Sequence, residues 1–178
     1  MTPDLAARAR ALRALLLDVD GVLTDGTTLV HADGTESLRF DIRDGLGLVL
    51  AQRAGLVTGV VSARATTAVE HRAAQLGLRH VLLGVHDKLD AVSRVLAHEG
   101  VGFEALGYMG DDLVDLRVLA RAGVSAAPAD AMPDVRPRVA LVTAARGGRG
   151  AVREFVEGVL RARGAWAPLL AEYAGDGR

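Results

Sequence analysis

A chain of 178 residues has room for one hydrophobic core and not for two ordinary ones, so a single domain over residues 1–178 is expected. Half of the residues are hydrophobic, which argues against disorder. The 21 basic and 22 acidic side chains leave a formal net charge of −1, which gives no electrostatic footprint for nucleic acid or an anionic membrane. There is no cysteine, which removes disulfide, zinc–thiolate and thiol-catalysis readings together. No apolar run approaches the ~20 residues of a membrane helix. Asp18 and Asp20 interrupt the run that follows ARARALR too early for a signal peptide. A soluble cytoplasmic protein with neither nucleic-acid nor membrane partners is therefore expected.

In chain order, Leu15 to Val19 reads as a first strand that ends in an Asp-rich turn. Thr28 to Val30 and Ser37 to Phe40 flank His31-Ala32-Asp33-Gly34, whose Asp-Gly pair suits a hairpin turn. A helix over Leu46 to Ala54 precedes a strand over Val57 to Val61, and a second helix spans Thr66 to Leu76. Val81 to Leu83 is a short strand, and Lys88 to Glu99 a helix with Leu89, Val92, Val95 and Leu96 on one stripe. Ala105 to Met109 is a strand running into Gly110-Asp111-Asp112, followed by a helix over Leu113 to Ala122. Ser125 to Ala127 and Leu141 to Val142 read as edge-like strands, and Gly150 to Arg163 as a last helix. The Ala- and Gly-rich tail, about 164–178, is expected to be flexible. Strands alternating with amphipathic helices predict an α/β fold, a doubly wound, mostly parallel sheet with a small hairpin insertion at about 27–40 and no large cap domain.

The chemistry-bearing residues share one location. Asp18, Asp20, Ser62, Asp111 and Asp112 lie at or just past strand ends, and Lys88 starts the helix after another. Ligands of open α/β sheets bind outside those ends, so residues distant in sequence converge there. Asp and Gly at 18–21 would also serve as a plain turn. Further carboxylates at a second strand end would repel without a cation, and few hard oxygen ligands suit Mg²⁺. Lys88 is the only lysine beside 20 arginines. Its place at a helix start opposes the helix dipole unless an anion offsets it.

DVDGVLTDG, VVSAR, HDKL and MGDDLVD resemble, in order, the four motifs of the haloacid dehalogenase superfamily. FDIRDGLG and GGRGAVRE extend the resemblance, over roughly residues 12 to 160, to the branch of 3-deoxy-D-manno-octulosonate 8-phosphate phosphatases. The resemblance implies that Asp18 attacks phosphorus and forms an aspartyl-phosphate. Asp20 then protonates the leaving oxygen and activates the hydrolytic water. It implies Mg²⁺ held by Asp18, the Asp20 carbonyl and Asp111, phosphoryl oxygens held by Ser62, Ala63 and Lys88, and supporting roles for Asp112 and Asp115. Ala63 stands where the family often has Gly, and Met132 where it commonly has His. Arg43, Arg64 and Arg149 are candidates for a substrate carboxylate, since Arg suits bidentate recognition.

The implied substrate is a phosphorylated sugar acid of the 2-keto-3-deoxy class. The alternatives are a nine-carbon sugar phosphate, a nucleotide, or a silent scaffold of the same fold. The resemblance also implies a homotetramer built through the hairpin. A receiver-type phosphoprotein fits poorly, because the strand Val57 to Val61 ends in Ser62 rather than Asp.

Overall fold

The computed structural model describes residues 1–175. Thr2 caps α1 (Pro3–Ala11) by accepting from the Leu5 amide, with proline at the first helical position. β1 (Ala14–Leu17) follows, then the loop carrying Asp18 and Asp20, then β2 (Leu29–Val30) and β3 (Glu36–Ser37), which pair antiparallel as a separate hairpin. α2 (Ile42–Arg53) leads to β4 (Val57–Val61), α3 (Thr67–Gln75) and β5 (His80–Leu82). α4 (Lys88–Glu99), β6 (Leu106–Met109), the four-residue α5 (Leu116–Leu119), β7 (Val124–Ala127) and β8 (Leu141–Val142) come next. α6 (Ala151–Ala162) and α7 (Trp166–Ala174) complete the described chain.

The six strands form one parallel sheet in the order β5-β4-β1-β6-β7-β8. β1 lies between β4 and β6, so the chain winds away from it in both directions. The crevice at the C-terminal ends of these strands is the topological switch point of the sheet. Alternation along β1 divides the core between the two faces. Leu15 and Leu17 join Leu48, Val60, Val69, Val152, Phe155 and Val159 on the α2, α3 and α6 side. Ala14 and Leu16 join Val92, Tyr108 and Val118 on the α4 and α5 side. Full burial of side chains such as Leu15 and Leu16 stabilises the fold by about 2 kcal/mol each.

Two signatures of the sequence are tertiary joints. Asp44 on α2 is buried and accepts from the amides of Gly150 and Arg153, at 3.1 and 2.7 Å, so it caps the first turn of α6 from another helix. A Cβ on Gly147 would stand 1.8 Å from the Gly21 carbonyl oxygen, and the Gly148 amide bonds the Val22 carbonyl. FDIRDGLG therefore grips GGRGAVRE, which in turn braces the loop after β1.

Several boundaries differ from the reading of the sequence. α2 begins at Ile42 rather than Leu46, because Asp41 caps it by accepting from the Arg43 amide. The second hairpin strand is Glu36–Ser37, not Ser37 to Phe40. The helix expected over Leu113 to Ala122 is a 3₁₀ turn followed by the short α5. β7 is interior and buried rather than edge-like, so of these two strands only β8 lies at an edge, opposite β5. The tail expected to be flexible carries α7, with Leu169 buried and the Trp166 ring beneath the guanidinium groups of Arg153 and Arg161. Residues 176–178 of that tail lie outside the described residues. The sequence reading missed α1 altogether.

Candidate active site

Asp18 is the first residue past β1, where its amide still donates to the Met109 carbonyl of β6. The chain then turns through Asp20 and Gly21, whose φ of +81° is a left-handed value that glycine adopts without strain. Thr24, fully buried, ties this loop together: its hydroxyl oxygen accepts from the Gly21 and Gly26 amides. Ser62 follows β4, Asp111 follows β6, and Lys88 opens α4 behind the Asp87 cap. Parallel register thus delivers four separate segments to one place. They line a cavity of about 260 Å³ together with Asp20, Ala63, Arg64 and Asp112.

Lys88 is the pivot. Its Nζ lies 2.8 Å from Asp18 Oδ1 and 2.8 Å from Asp115 Oδ1, with the side chain almost wholly buried. Asp115, fully buried, also accepts from the Tyr108 hydroxyl at 2.7 Å and from the Asp111 and Asp112 amides at 3.2 and 3.4 Å. Asp112 caps the turn that carries Asp115 through a reciprocal capping box. Through these bonds Asp115 touches both Lys88 and the Asp111 amide, and Asp112 holds the turn that carries Asp115.

The electrostatics are tense. Burial, with the Asp115 charge next, pushes the Asp18 carboxyl up to about 8, against the pull of Lys88. The same two causes, joined by Asp112, push Asp111 up to about 7. Burial alone would depress the Lys88 ammonium, but Asp18 and Asp115 outweigh it and hold it above its ordinary value. Carboxylate oxygens of Asp18, Asp111 and Asp115 lie within 4.8 Å of one another. Asp115 already has four donors, whereas Asp18 and Asp111 keep acceptor capacity toward the cavity. Two crowded carboxylates with raised affinity for positive charge fit a hard divalent cation.

Ser62 accepts from the Arg64 amide at 3.1 Å, which leaves its hydroxyl proton free to donate into the cavity. Arg64 stands at the mouth, its guanidinium bonded to Asp20 at 3.2 Å, Thr28 at 2.9 Å and Glu36 of the hairpin at 2.5 Å. The structure brings Asp18, Asp20, Ser62, Ala63, Arg64, Lys88, Asp111 and Asp112 around one cavity. It does not bring Arg43 or Arg149 there within one chain. Both line a different groove beside α6, where Arg43 is held by Asp41 and Arg149 faces Asp25 at 3.7 Å. Met132 is half exposed, and its amide bonds the Asp111 carbonyl at 2.9 Å, so the position anticipated for histidine serves the site through its backbone. The sequence reading missed Tyr108, Thr24 and Asp44. The legible signal for Tyr108 was a hydroxyl-bearing ring inside an apolar strand, which must find a partner when buried.

No family model matches the chain. The chain is 40% identical over 164 residues to 3-deoxy-D-manno-octulosonate 8-phosphate phosphatase KdsC of Escherichia coli K12, covering 92% of this chain and 87% of that one. The chain belongs to this family of haloacid dehalogenase superfamily phosphatases. Solved structures of members agree with the fold. The 3-deoxy-D-manno-octulosonate 8-phosphate phosphatase of Moraxella catarrhalis, in complex with magnesium, phosphate and KDO, superposes with a TM-score of 0.95 at 31% identity, covering 97% of this chain and 99% of that one. The Yersinia pestis phosphatase of the same name gives 0.91 at 38%, covering 93% and 89%. Membership makes the chain a phosphoric monoester hydrolase of the haloacid dehalogenase type, and its cavity the place where that chemistry is to be sought.

Proposed function

We propose that the chain, working as one domain, hydrolyses 3-deoxy-D-manno-octulosonate 8-phosphate or a closely related 2-keto-3-deoxy sugar acid phosphate with Mg²⁺. The observation that carries the reading is the Lys88 ammonium clamped between Asp18 and Asp115 in a cavity also lined by Ser62 and Asp111. The names of the relatives in both comparisons support the substrate class.

Asp18 attacks phosphorus, and the P–O bond to the sugar breaks as the aspartyl-phosphate forms. Asp20 gives its proton to the departing sugar oxygen and then takes one from the water that attacks the intermediate, so it ends protonated for the next cycle. Lys88, Ser62 and the Ala63 amide hold the phosphoryl oxygens while charge moves between attacking and leaving atoms. Asp18, the Asp20 carbonyl and Asp111 would hold Mg²⁺, which would neutralise phosphoryl charge and relieve the crowding of the carboxylates. Arg64, drawn away from Asp20, is the group positioned for the carboxylate of the sugar acid. The assembly is a homotetramer through the hairpin and the setting cytoplasmic. In support of these, Leu29 and Val30 of the hairpin are exposed, and no helix among the described residues is long and apolar enough to cross a membrane.

The test is phosphate release from a panel of eight- and nine-carbon sugar acid phosphates, simple sugar phosphates and nucleotides. Preferential turnover of the eight-carbon acid, lost on chelation and lowered at least about 10³-fold by Asp18→Asn, is expected. Preference for another member would replace the substrate and leave the mechanism. A folded, Mg²⁺-loaded chain that releases phosphate from none would overturn both.

A further inference from the structure

Tyr108 sits on β6 with its side chain fully buried among Leu16, Val61, Val92 and Val118, where a purely apolar residue would pack without penalty. Its hydroxyl nevertheless emerges at one polar place, 2.7 Å from Asp115 Oδ1. That is the same oxygen that the Lys88 Nζ approaches at 2.8 Å. The other carboxylate oxygen, Oδ2, is taken by the Asp111 and Asp112 amides. The opposite side of Asp115 is closed as well: a Cβ on Gly110 would stand 2.4 Å from Asp115 Cγ. Backbone amides, close packing and one phenol thus leave the carboxylate a single orientation.

That orientation matters because of Lys88. An ammonium rotates freely about its last bond, and its three protons point in tetrahedral directions. Bonds to Asp18 and Asp115 consume two of them, so the third is directed by geometry, and Lys88 lines the cavity. We propose that Tyr108 is a positioning residue for phosphoryl transfer: its hydroxyl fixes the Asp115 carboxylate, which with Asp18 aims the Lys88 ammonium at the phosphoryl group. The inference rests on the phosphatase reading above. Tyr108 does not line the cavity, and acts only through Asp115.

The experiment is Tyr108→Phe in the full chain with Mg²⁺, using a substrate that the unsubstituted chain turns over. Removing an interaction that is tightened in the transition state lowers kcat and kcat/KM together, by about tenfold for one bond to a charged partner. KM and the Mg²⁺ half-saturation should stay put, while inhibition by orthovanadate, which adopts the geometry of the transferring group, should weaken by a similar factor. A merely structural tyrosine would lower Tm and leave kcat and vanadate inhibition of the folded variant at their original values, and that result would overturn the proposal. Should Tyr108→Phe fail to fold, 3-fluorotyrosine placed at position 108 keeps the shape and changes the donor strength. Kinetics and vanadate inhibition should then move together, and no movement would overturn the proposal. Phosphate release by the unsubstituted chain, measured alongside, separates the two readings: its absence would overturn the phosphatase assignment itself.

Discussion

At Asp18 three influences compete, and burial wins. A carboxylate 2.8 Å from an ammonium would ordinarily be held low, yet desolvation and the neighbouring Asp115 push this one up to about 8 and Asp111 up to about 7, from an ordinary 3.8. The folded, cation-free chain therefore retains protons between about pH 4 and 8 that the unfolded chain has released. Stability from these two groups is complete below about pH 4 and is lost as pH rises through 7 to 8. In EDTA, Tm should fall between about pH 6 and pH 8, and Mg²⁺ should raise Tm more at the higher pH because it replaces the missing protons. Calorimetric scans check this; an Mg²⁺ shift independent of pH would contradict the cation assignment. The ionic residues of the site were legible in the sequence because charge at the end of an apolar strand is conspicuous. Tyr108 was passed over, since within Leu106–Met109 an aromatic ring continues the apolar pattern and only its hydroxyl marks it out.

The most informative elements are the two that meet through Asp44. α2 and α6 are distant in sequence, and neither supplies a residue to the cavity, yet the glycine-rich loop before α6 packs directly on the loop that bears Asp20. Replacing Asp44 with Ala removes two buried bonds to a helix start. A loss of about 2 kcal/mol and a Tm lower by roughly 4–8 °C are expected, with kcat of the folded variant changed only a few-fold. Urea titration and thermal melts measure the first, steady-state kinetics the second. Strands β1, β4 and β6 were readable because both faces are covered and their residues run largely apolar, with Thr58 and Gly59 as the break in β4. Helices α1 and α7 were not. Only Leu5 and Ala9 of α1 are buried, and only Leu169 of α7, too sparse a stripe to show helical periodicity against arginine, alanine and glycine. Arg43 and Arg149 lie outside the cavity of the single chain, where FDIRDGLG and GGRGAVRE meet each other through Asp44.

In the molecule as a whole, the hairpin leaves large apolar side chains uncovered in the single chain. Leu29 and Val30 are each more than 60% exposed, and Ile42 just beyond is 81% exposed, while Glu36 on the same hairpin reaches Arg64 at the cavity mouth. If this surface assembles the tetramer, Leu29→Glu with Val30→Glu should give a smaller species by sedimentation velocity with the sheet intact by circular dichroism; an unchanged mass would rule out the hairpin as the interface. The single lysine, 4% exposed and tied to two aspartates, has a practical consequence of another kind. An endoprotease specific for lysine has one peptide bond to cut, the one after Lys88, and that bond lies in the first turn of α4 with the Lys88 side chain buried against the catalytic cavity. Cleavage then requires the catalytic cavity to open, so the rate at which two fragments appear is a clock for its opening. The slowing of that clock by Mg²⁺ and phosphate would weigh their grip on the site without any need for turnover.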